Sequence, residues 1–240
     1  MVAMKWNEYR TGVRRGLPVG MGYFSVSFGF GAMAVAQGLK ALEATLISVT
    51  NLTSAGQFAG LTLIVASATL WEMVLTQLVI NSRYALMSLA LSQRMGERIG
   101  FLPRLLIAFF NTDEIFALAM DRKAPLTVPF LLGLGTLPLI GWSMGTLCGA
   151  LAGSVLPEDI RAALGVMLYG MFIAIVVPPA KSDRKILAAV VLALTCSSLF
   201  AWVPLLQKVS PGISIVVCTV AAAAVCGWLF PIPEEEEAEA

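Results

Sequence analysis

The residues best suited to chemistry are polar and charged side chains that interrupt strongly apolar sequence between Leu70 and Met120. An ionisable group at membrane depth costs at least about 2.5 to 3.5 kcal/mol, so such residues usually line a path or a binding site. A guanidinium can hold a carboxylate, and an acid can hold an ammonium or carry a proton. The residues concerned are Glu72, Asn81, Arg83, Asn111, Thr112, Asp113 and Glu114.

Arg83 lies deep within its apolar run, whereas Glu72 lies near one end. On a helix they share a face but stand about 16 Å apart at 1.5 Å per residue, so they cannot pair. Arg83 therefore needs a partner from another helix, or it snorkels toward the basic residues that follow. The adjacent Asp113 and Glu114 are hard to explain as solvated surface. Either one of them stays protonated, or Arg83 or a substrate ammonium balances the charge.

The composition places these residues in a membrane protein. The chain is 58% hydrophobic and 13% charged, against about 25% charged residues in soluble domains. Several apolar runs of about 20 residues are long enough to cross the hydrocarbon core as helices. The predicted fold is an all-α polytopic integral membrane helical bundle in the lipid bilayer, with six to eight membrane segments. Because the net charge is only +1 and basic residues are scattered, nucleic acid is not expected as a partner.

Several classes of chemistry are excluded by missing residues. The chain has no histidine, which removes Ser/His and Cys/His hydrolases and histidine-bearing zinc sites. Its four cysteines lie in apolar segments without a C-x-x-C pair, and are expected to be small buried hydrophobes. No nucleotide-binding G-x-x-x-x-G-K-[ST] motif occurs, so energy must come from an ion or substrate gradient. No enzyme, catalytic residue, metal or cofactor is predicted.

The chain divides into a polar lead over 1–15, a single membrane domain over 16–230 and an acidic disordered tail over 231–240. The basic residues of the lead make the amino terminus cytoplasmic by the positive-inside rule, and both chain ends are predicted to be cytoplasmic. The apolar segments run from Gly16 to Ala36, Leu42 to Ala68, Leu70 to Leu91, Leu105 to Met120, Phe130 to Gly153, about Asp159 to Val177, Leu187 to Leu206 and Ile213 to Phe230.

Two of these segments are predicted to be broken or re-entrant. Within 42–68, polar and glycine positions crowd between Thr50 and Gln57, which favours either two half-helices meeting at unwound backbone or an intact helix with its polar side turned inward. The segment 105–120 either crosses or turns back. If both segments turn back, Arg94, Arg98 and Arg104 join the cytoplasmic side and strengthen the positive-inside bias.

A stripe of glycines marks the fifth segment. Gly141, Gly145, Gly149 and Gly153 recur every four residues, which indicates a smooth helix face for close contact with another helix. The stripe is most simply structural. Packing between copies of the chain through this stripe would give a homo-oligomer.

Three sequence blocks, in order, resemble the AzlC/YgaZ family of branched-chain amino acid exporters. They are Ser54-Ala55-Gly56-Gln57-Phe58, Asn81-Ser82-Arg83-Tyr84 and Thr112-Asp113-Glu114-Ile115-Phe116-Ala117-Leu118. The resemblance spans roughly residues 14–177. It implies a multi-pass permease subunit in a bacterial-type inner (plasma) membrane that exports valine, leucine, isoleucine and some analogues. It also implies a small AzlD/YgaH-type membrane subunit as partner.

A travelling zwitterion needs both of its charges matched, and the chain offers candidates for each. Arg83, or the amides of a half-helix starting near Ser54, could take the carboxylate. Asp113 or Glu114 could take the ammonium, and the other acid could carry a coupling proton, a role for which Glu72 is a third candidate. The predicted substrate-binding residues are Ser54, Gly56, Gln57, Phe58, Asn81, Arg83, Asn111, Thr112, Asp113 and Glu114.

Two other functions fit the same sequence. In an ion or small-solute channel, the acids and Arg83 would form a selectivity constriction, and flux would not saturate. In a non-transporting assembly subunit, the glycine stripe would be the main feature, and substrate would not stabilise the protein. A membrane enzyme ranks last, because no nucleophile sits beside a plausible base.

Overall fold

The computed structural model describes residues 2–95, 99–153, 173 and 176–231, with side chains from residue 5 onward. Within these residues the chain is helical and contains no strand, and five helices are long and apolar enough to cross a membrane. The predicted all-α polytopic membrane fold is confirmed. The segment predicted near 159–177 lies almost wholly outside the described residues, as do Arg98 and the acidic tail from 232.

Nine helices cover most of the described residues, and they belong to two compact units. Unit 1 comprises Met1–Leu61 and Asn81–Leu168, and unit 2 comprises Thr62–Ile80 and Tyr169–Ala240. The helices are α1 (Val2–Ala36), α2 (Ala41–Thr50), α3 (Ser54–Val65), α4 (Leu70–Arg94), α5 (Phe101–Phe110), α6 (Asp113–Met120), α7 (Val128–Gly153), α8 (Arg184–Trp202) and α9 (Pro211–Leu229).

The core of unit 1 is the contact between α1 and α7, which run parallel to each other. An added Cβ on Gly141, Gly145 or Gly149 would overlap the carbonyl oxygen of Gly20, Phe24 or Phe28, respectively. Only glycine lets the two backbones approach so closely, so the predicted stripe is structural. Because α1 covers the stripe, a second copy of the chain cannot pack there, and that route to a homo-oligomer is excluded.

The polar residues of the lead are helical, since α1 begins at Val2. Glu8 accepts a hydrogen bond from Arg122 at 2.8 Å and another from Thr127 at 2.9 Å. The Arg122 guanidinium also lies 3.9 Å from the ring centroid of Phe130. These contacts fix the beginning of α1 to the beginning of α7, which explains why a polar sequence continues the helix.

The segment 42–68 is broken, as one of the two sequence alternatives required. Residues 51–53 separate α2 from α3, and the Asn51 side chain accepts a hydrogen bond from the Thr53 backbone at 3.2 Å. Gln57 donates to the Ser48 hydroxyl across this break. A straight path between those residues would be roughly 20 Å long, farther than two side chains can span. The chain therefore bends sharply at 51–53.

The segment predicted over 105–120 starts earlier, at Phe101, and is broken at Asn111 and Thr112 into α5 and α6. In the last turn of α4, Arg94 donates to the backbone carbonyls of Met120 and, at 2.9 Å, of Arg122. The end of α6 thus lies beside the end of α4, where α5 begins a few residues later. The α5–α6 pair folds back on itself. Its tip, formed by Asn111, Thr112, Asp113 and Glu114, lies at mid-length of α4.

Unit 2 contains the first half of α4 together with α8 and α9. Thr76 in α4 donates to the Gly212 carbonyl in α9 at 3.3 Å. At the start of α4, Glu72 accepts hydrogen bonds from the Thr69 backbone at 2.7 Å and from its hydroxyl at 3.1 Å, and the Glu72 amide donates back to Thr69. This reciprocal arrangement is a capping box, which satisfies free backbone donors of the first turn.

Candidate functional site

The acidic residues of the site begin a helix at the tip of the α5–α6 pair. Thr112 is the N-cap of α6, and its hydroxyl accepts a hydrogen bond from the Ile115 amide at 3.4 Å. Asp113 and Glu114 follow in the first turn. A threonine cap stops the helix from continuing through Asn111, and the positive end of the helix dipole favours acids in this turn. Local sequence therefore places both carboxylates at the tip.

Arg83 is the partner of Asp113. Its Nη1 atom lies 2.6 Å from Asp113 Oδ2, and 42% of the Arg83 side chain and 45% of the Asp113 side chain are not covered by protein. The guanidinium also lies 5.0 Å from the ring centroid of Tyr84. The ion pair therefore joins two helices but remains accessible to a ligand. The charge of Arg83 is balanced by Asp113, so snorkelling is not needed.

Glu114 has a different partner, which the sequence reasoning missed. The Tyr23 hydroxyl from α1 donates to Glu114 Oε2 and lies 2.7 Å from the Thr112 hydroxyl. Asp113 is thus paired with a cation, whereas Glu114 is held by a neutral donor. An aromatic residue in a glycine-rich apolar run gives no signal of such a role, because the same pattern is typical of simple packing.

Asn111, the last residue before the N-cap, is 5% exposed and carries an unmet acceptor. Its Nδ2 atom donates to the Ser88 hydroxyl of α4 at 3.0 Å. Its Oδ1 atom is buried and has no hydrogen-bond partner in the part of the chain that the structure describes. A buried acceptor without a donor is unfavourable unless something supplies one, so this atom is available to a ligand or a water molecule.

Gln57 belongs to a buried polar network that connects the start of α3 with α1, α2 and α7. It is 1% exposed and accepts a hydrogen bond from the Trp142 indole at 2.8 Å. Gln57 donates to Ser48, whose hydroxyl lies 2.7 Å from that of Thr146. The Trp142 ring also contacts the Tyr23 ring edge-on, with centroids 5.2 Å apart. Gln57 thereby supports, through two aromatic rings, the residue that holds Glu114.

The other predicted site residues lie outside this tip. Ser54 and Gly56 are in the first turn of α3, and Phe58 packs edge-on against Phe30 with ring centroids 5.2 Å apart. Asn81 is partly buried in α4, two residues before Arg83. Glu72 caps α4 within unit 2. The structure thus brings Arg83, Asn111, Thr112, Asp113 and Glu114 together, and ties Gln57 to them indirectly.

The tip presents carboxylate, amide and hydroxyl groups, and the Arg83 guanidinium of α4 lies beside them. Among the described residues, no group of three or more histidine, cysteine, aspartate or glutamate side chains is placed to hold a metal ion. The chemistry that this arrangement offers is recognition of charges: a guanidinium for an anion, and carboxylates with an amide oxygen for a cation.

Comparison with known proteins supplies the family. A family model described as AzlC protein matches residues 18–156. The inner membrane protein YgaZ of Escherichia coli is 30% identical over 204 residues, covering 80% of this chain and 82% of that protein. Proteins of two Helicobacter pylori strains, each named uncharacterized membrane protein, are 28% identical over 186 residues, covering 75% of this chain and 80% of each. No solved structure matches the chain. Because the model match covers more than half of the chain and contains the whole tip, the protein belongs to the AzlC family.

Proposed function

We propose that this chain is a secondary transporter that exports branched-chain amino acids (valine, leucine, isoleucine) or similar apolar amino acids across an inner membrane, with ion coupling. Membership in the AzlC family, and relatives named as membrane proteins, support a membrane transporter rather than an enzyme. The observation that carries the proposal is the half-uncovered Arg83 and Asp113 pair at the tip of a broken, folded-back helix pair. Broken helices at membrane depth are a common setting for substrate sites.

The charges of the tip suit a zwitterion. Without substrate, Arg83 and Asp113 balance each other. A guanidinium has five N–H donors, so Arg83 can bind a substrate carboxylate while Asp113 orients it. The substrate ammonium goes to Asp113 or Glu114, and the other acid carries the coupling proton. An amine without a carboxylate, or a carboxylic acid without an amine, would leave one protein charge unbalanced, so the free amino acid is favoured over either fragment.

The proposed orientation places both chain ends in the cytoplasm. The beginning of α1 carries Lys5, Arg10, Arg14 and Arg15, and contacts Arg122 near the end of α6. Since α6 ends beside Arg94, these basic residues gather at one end of unit 1. By the positive-inside rule that end is cytoplasmic, and the α5–α6 pair enters the membrane from that side. The proposal also includes a small AzlD/YgaH-type membrane subunit as partner.

The test is uptake of labelled leucine, valine and methionine into inverted vesicles, with and without a pH gradient. We expect saturable, stereoselective uptake that Arg83→Ala and Asp113→Asn each abolish while protein still reaches the membrane. Asp121→Asn is the matched control, because the Asp121 side chain is 80% exposed and lies outside the tip. Near-normal uptake by both tip variants would remove this site assignment, and unsaturated ion current would replace the carrier with a channel.

A further inference from the structure

A cavity of about 200 Å³ lies between α4 and α5, on the Arg94 side of the ion pair. Its α4 wall consists of Ser88, Leu91, Ser92 and Met95, whose spacing of three and four residues places them on one helix face. Leu91 and Met95 are buried, while the two small serines leave room beside them. The space is large enough for several water molecules or one small molecule.

The α5 wall adds one charge to this apolar space. Arg104, Ile107 and Ala108 repeat the same spacing on the facing helix. Ile107 is buried, and Arg104 is exposed at the rim. The Arg104 guanidinium has no hydrogen-bond or ion-pair partner among the residues that the structure describes. A guanidinium that no described residue pairs, beside an apolar cavity with two hydroxyls, fits a carboxylate that carries a short apolar chain.

The cavity adjoins the tip without being part of it. Ser88 lines the cavity and also accepts the hydrogen bond from Asn111, whose Oδ1 atom is the unmet acceptor of the tip. Arg83 precedes Ser88 on α4 by five residues, a rise of about 7.5 Å along the helix axis. A molecule leaving the cavity would therefore reach Asn111 and Arg83 after a short displacement along α4.

We propose that this cavity is a second binding site, in which an apolar amino acid waits next to the Arg83 and Asp113 site. Its carboxylate binds Arg104, and its side chain packs against Leu91, Met95 and Ile107. The inference rests on the proposed function only for the identity of the ligand. Arg83 and Asp113 do not line the cavity, so binding there does not require the ion pair.

The test is ligand protection of an introduced thiol in the full chain in inverted vesicles. Cys148, Cys196, Cys218 and Cys226 are first replaced by serine, and Ala108→Cys is then labelled with N-ethylmaleimide. Leucine at ten times its half-protecting concentration should slow labelling about tenfold. Isoamylamine, which lacks a carboxylate, should not protect, and Arg104→Gln should abolish protection by leucine. The matched control is Leu105→Cys, since Leu105 is exposed on α5 but does not line the cavity.

The result expected in an Asp113→Asn background separates this site from the proposed function. Protection should persist there although transport is lost. Absence of protection by leucine, equal protection of the Leu105→Cys control, an unreactive thiol, or loss of protection with Asp113→Asn would each overturn the proposal. If Ala108→Cys does not fold, Ser92→Cys reports on the same cavity from α4. If the parent chain, without any tip substitution, shows protection by leucine but no leucine transport, the proposed function is refuted and this site stands.

Discussion

Removing both charges of the Arg83 and Asp113 pair should restore folding without restoring transport. Neutralising one partner leaves the other unbalanced, which costs about 2.5 to 3.5 kcal/mol when lipid surrounds a charge. Because 42% and 45% of the two side chains are uncovered by protein, we reduce the expected cost to about 1 to 2 kcal/mol for solvent screening. That loss lowers the ratio of folded to unfolded protein by a factor of about 5 to 30.

The variants are Arg83→Gln, Asp113→Asn and the two combined. Each single variant should lower the folded fraction, whereas the double variant has no unbalanced charge and should fall within about 0.5 kcal/mol of the parent chain. Transport should be absent in all three variants: those without Arg83 have no guanidinium for the substrate carboxylate, and Asp113→Asn alone removes the acid that orients this guanidinium. Size-exclusion chromatography of a fluorescent fusion after heating reports the folded fraction, and leucine uptake into vesicles reports transport.

The refuting result is recovery of transport in the double variant. Recovery of transport would show that the Arg83 and Asp113 pair serves only to hold α4 against α6 and that the substrate binds elsewhere. A double variant that remains as unstable as the singles would show instead that the hydrogen bonds of the pair, rather than its charges, stabilise the fold.

Three further outcomes follow from close contacts. Gly149→Ala should destabilise the protein by about 1 to 3 kcal/mol, since its Cβ overlaps the Phe28 carbonyl; a thermal melt in detergent measures this, and Gly22→Ala, with open space around it, should melt at or slightly above the parent temperature, because alanine favours a helix. Tyr23→Phe removes a hydrogen bond to the Glu114 carboxylate, and a hydrogen bond to a charged group contributes about 1.5 to 3 kcal/mol, so the same melt should show a loss of stability up to that size; an unchanged melt would mean that the phenol is dispensable to the fold. Gln57→Leu leaves the indole donor without its acceptor, which should cost about 1 to 3 kcal/mol in the same melt, and an unchanged melt would contradict the buried network.

The sequence predicts the structure best where residues in apolar surroundings can be accommodated in only a few ways. Polar residues crowded near Thr53 leave either a broken helix or an intact helix with its polar side turned inward, and the chain adopts the first of these. Four glycines at a fixed spacing leave only close backbone contact, which α1 provides. Arg83 in mid-helix needs a counter-charge, and adjacent acids in another segment are the obvious source, as the contact with Asp113 shows.

Features that depend on the third dimension could not be predicted from the sequence. Tyr23 and Trp142 look like ordinary packing residues, and only their neighbours reveal that they connect Glu114 with Gln57. Likewise, the direction in which α6 returns rests on the contacts of Arg94, which no periodicity encodes. From the sequence alone, the polar beginning of α1 is interpreted as solvated chain, because the residues that bind it, Arg122 and Thr127, are distant in sequence.

The backbone contact between α1 and α7 limits how the molecule can change shape. Carbonyl oxygens of α1 lie against glycines of α7 at every fourth residue. The two helices therefore cannot slide in small steps, because the next matching position is four residues, about 6 Å, away. We therefore expect α1 and α7 to keep a fixed position relative to each other. In the proposed transport cycle, the parts that would move relative to α1 and α7 are the bent α2–α3 segment and the folded-back α5–α6 pair.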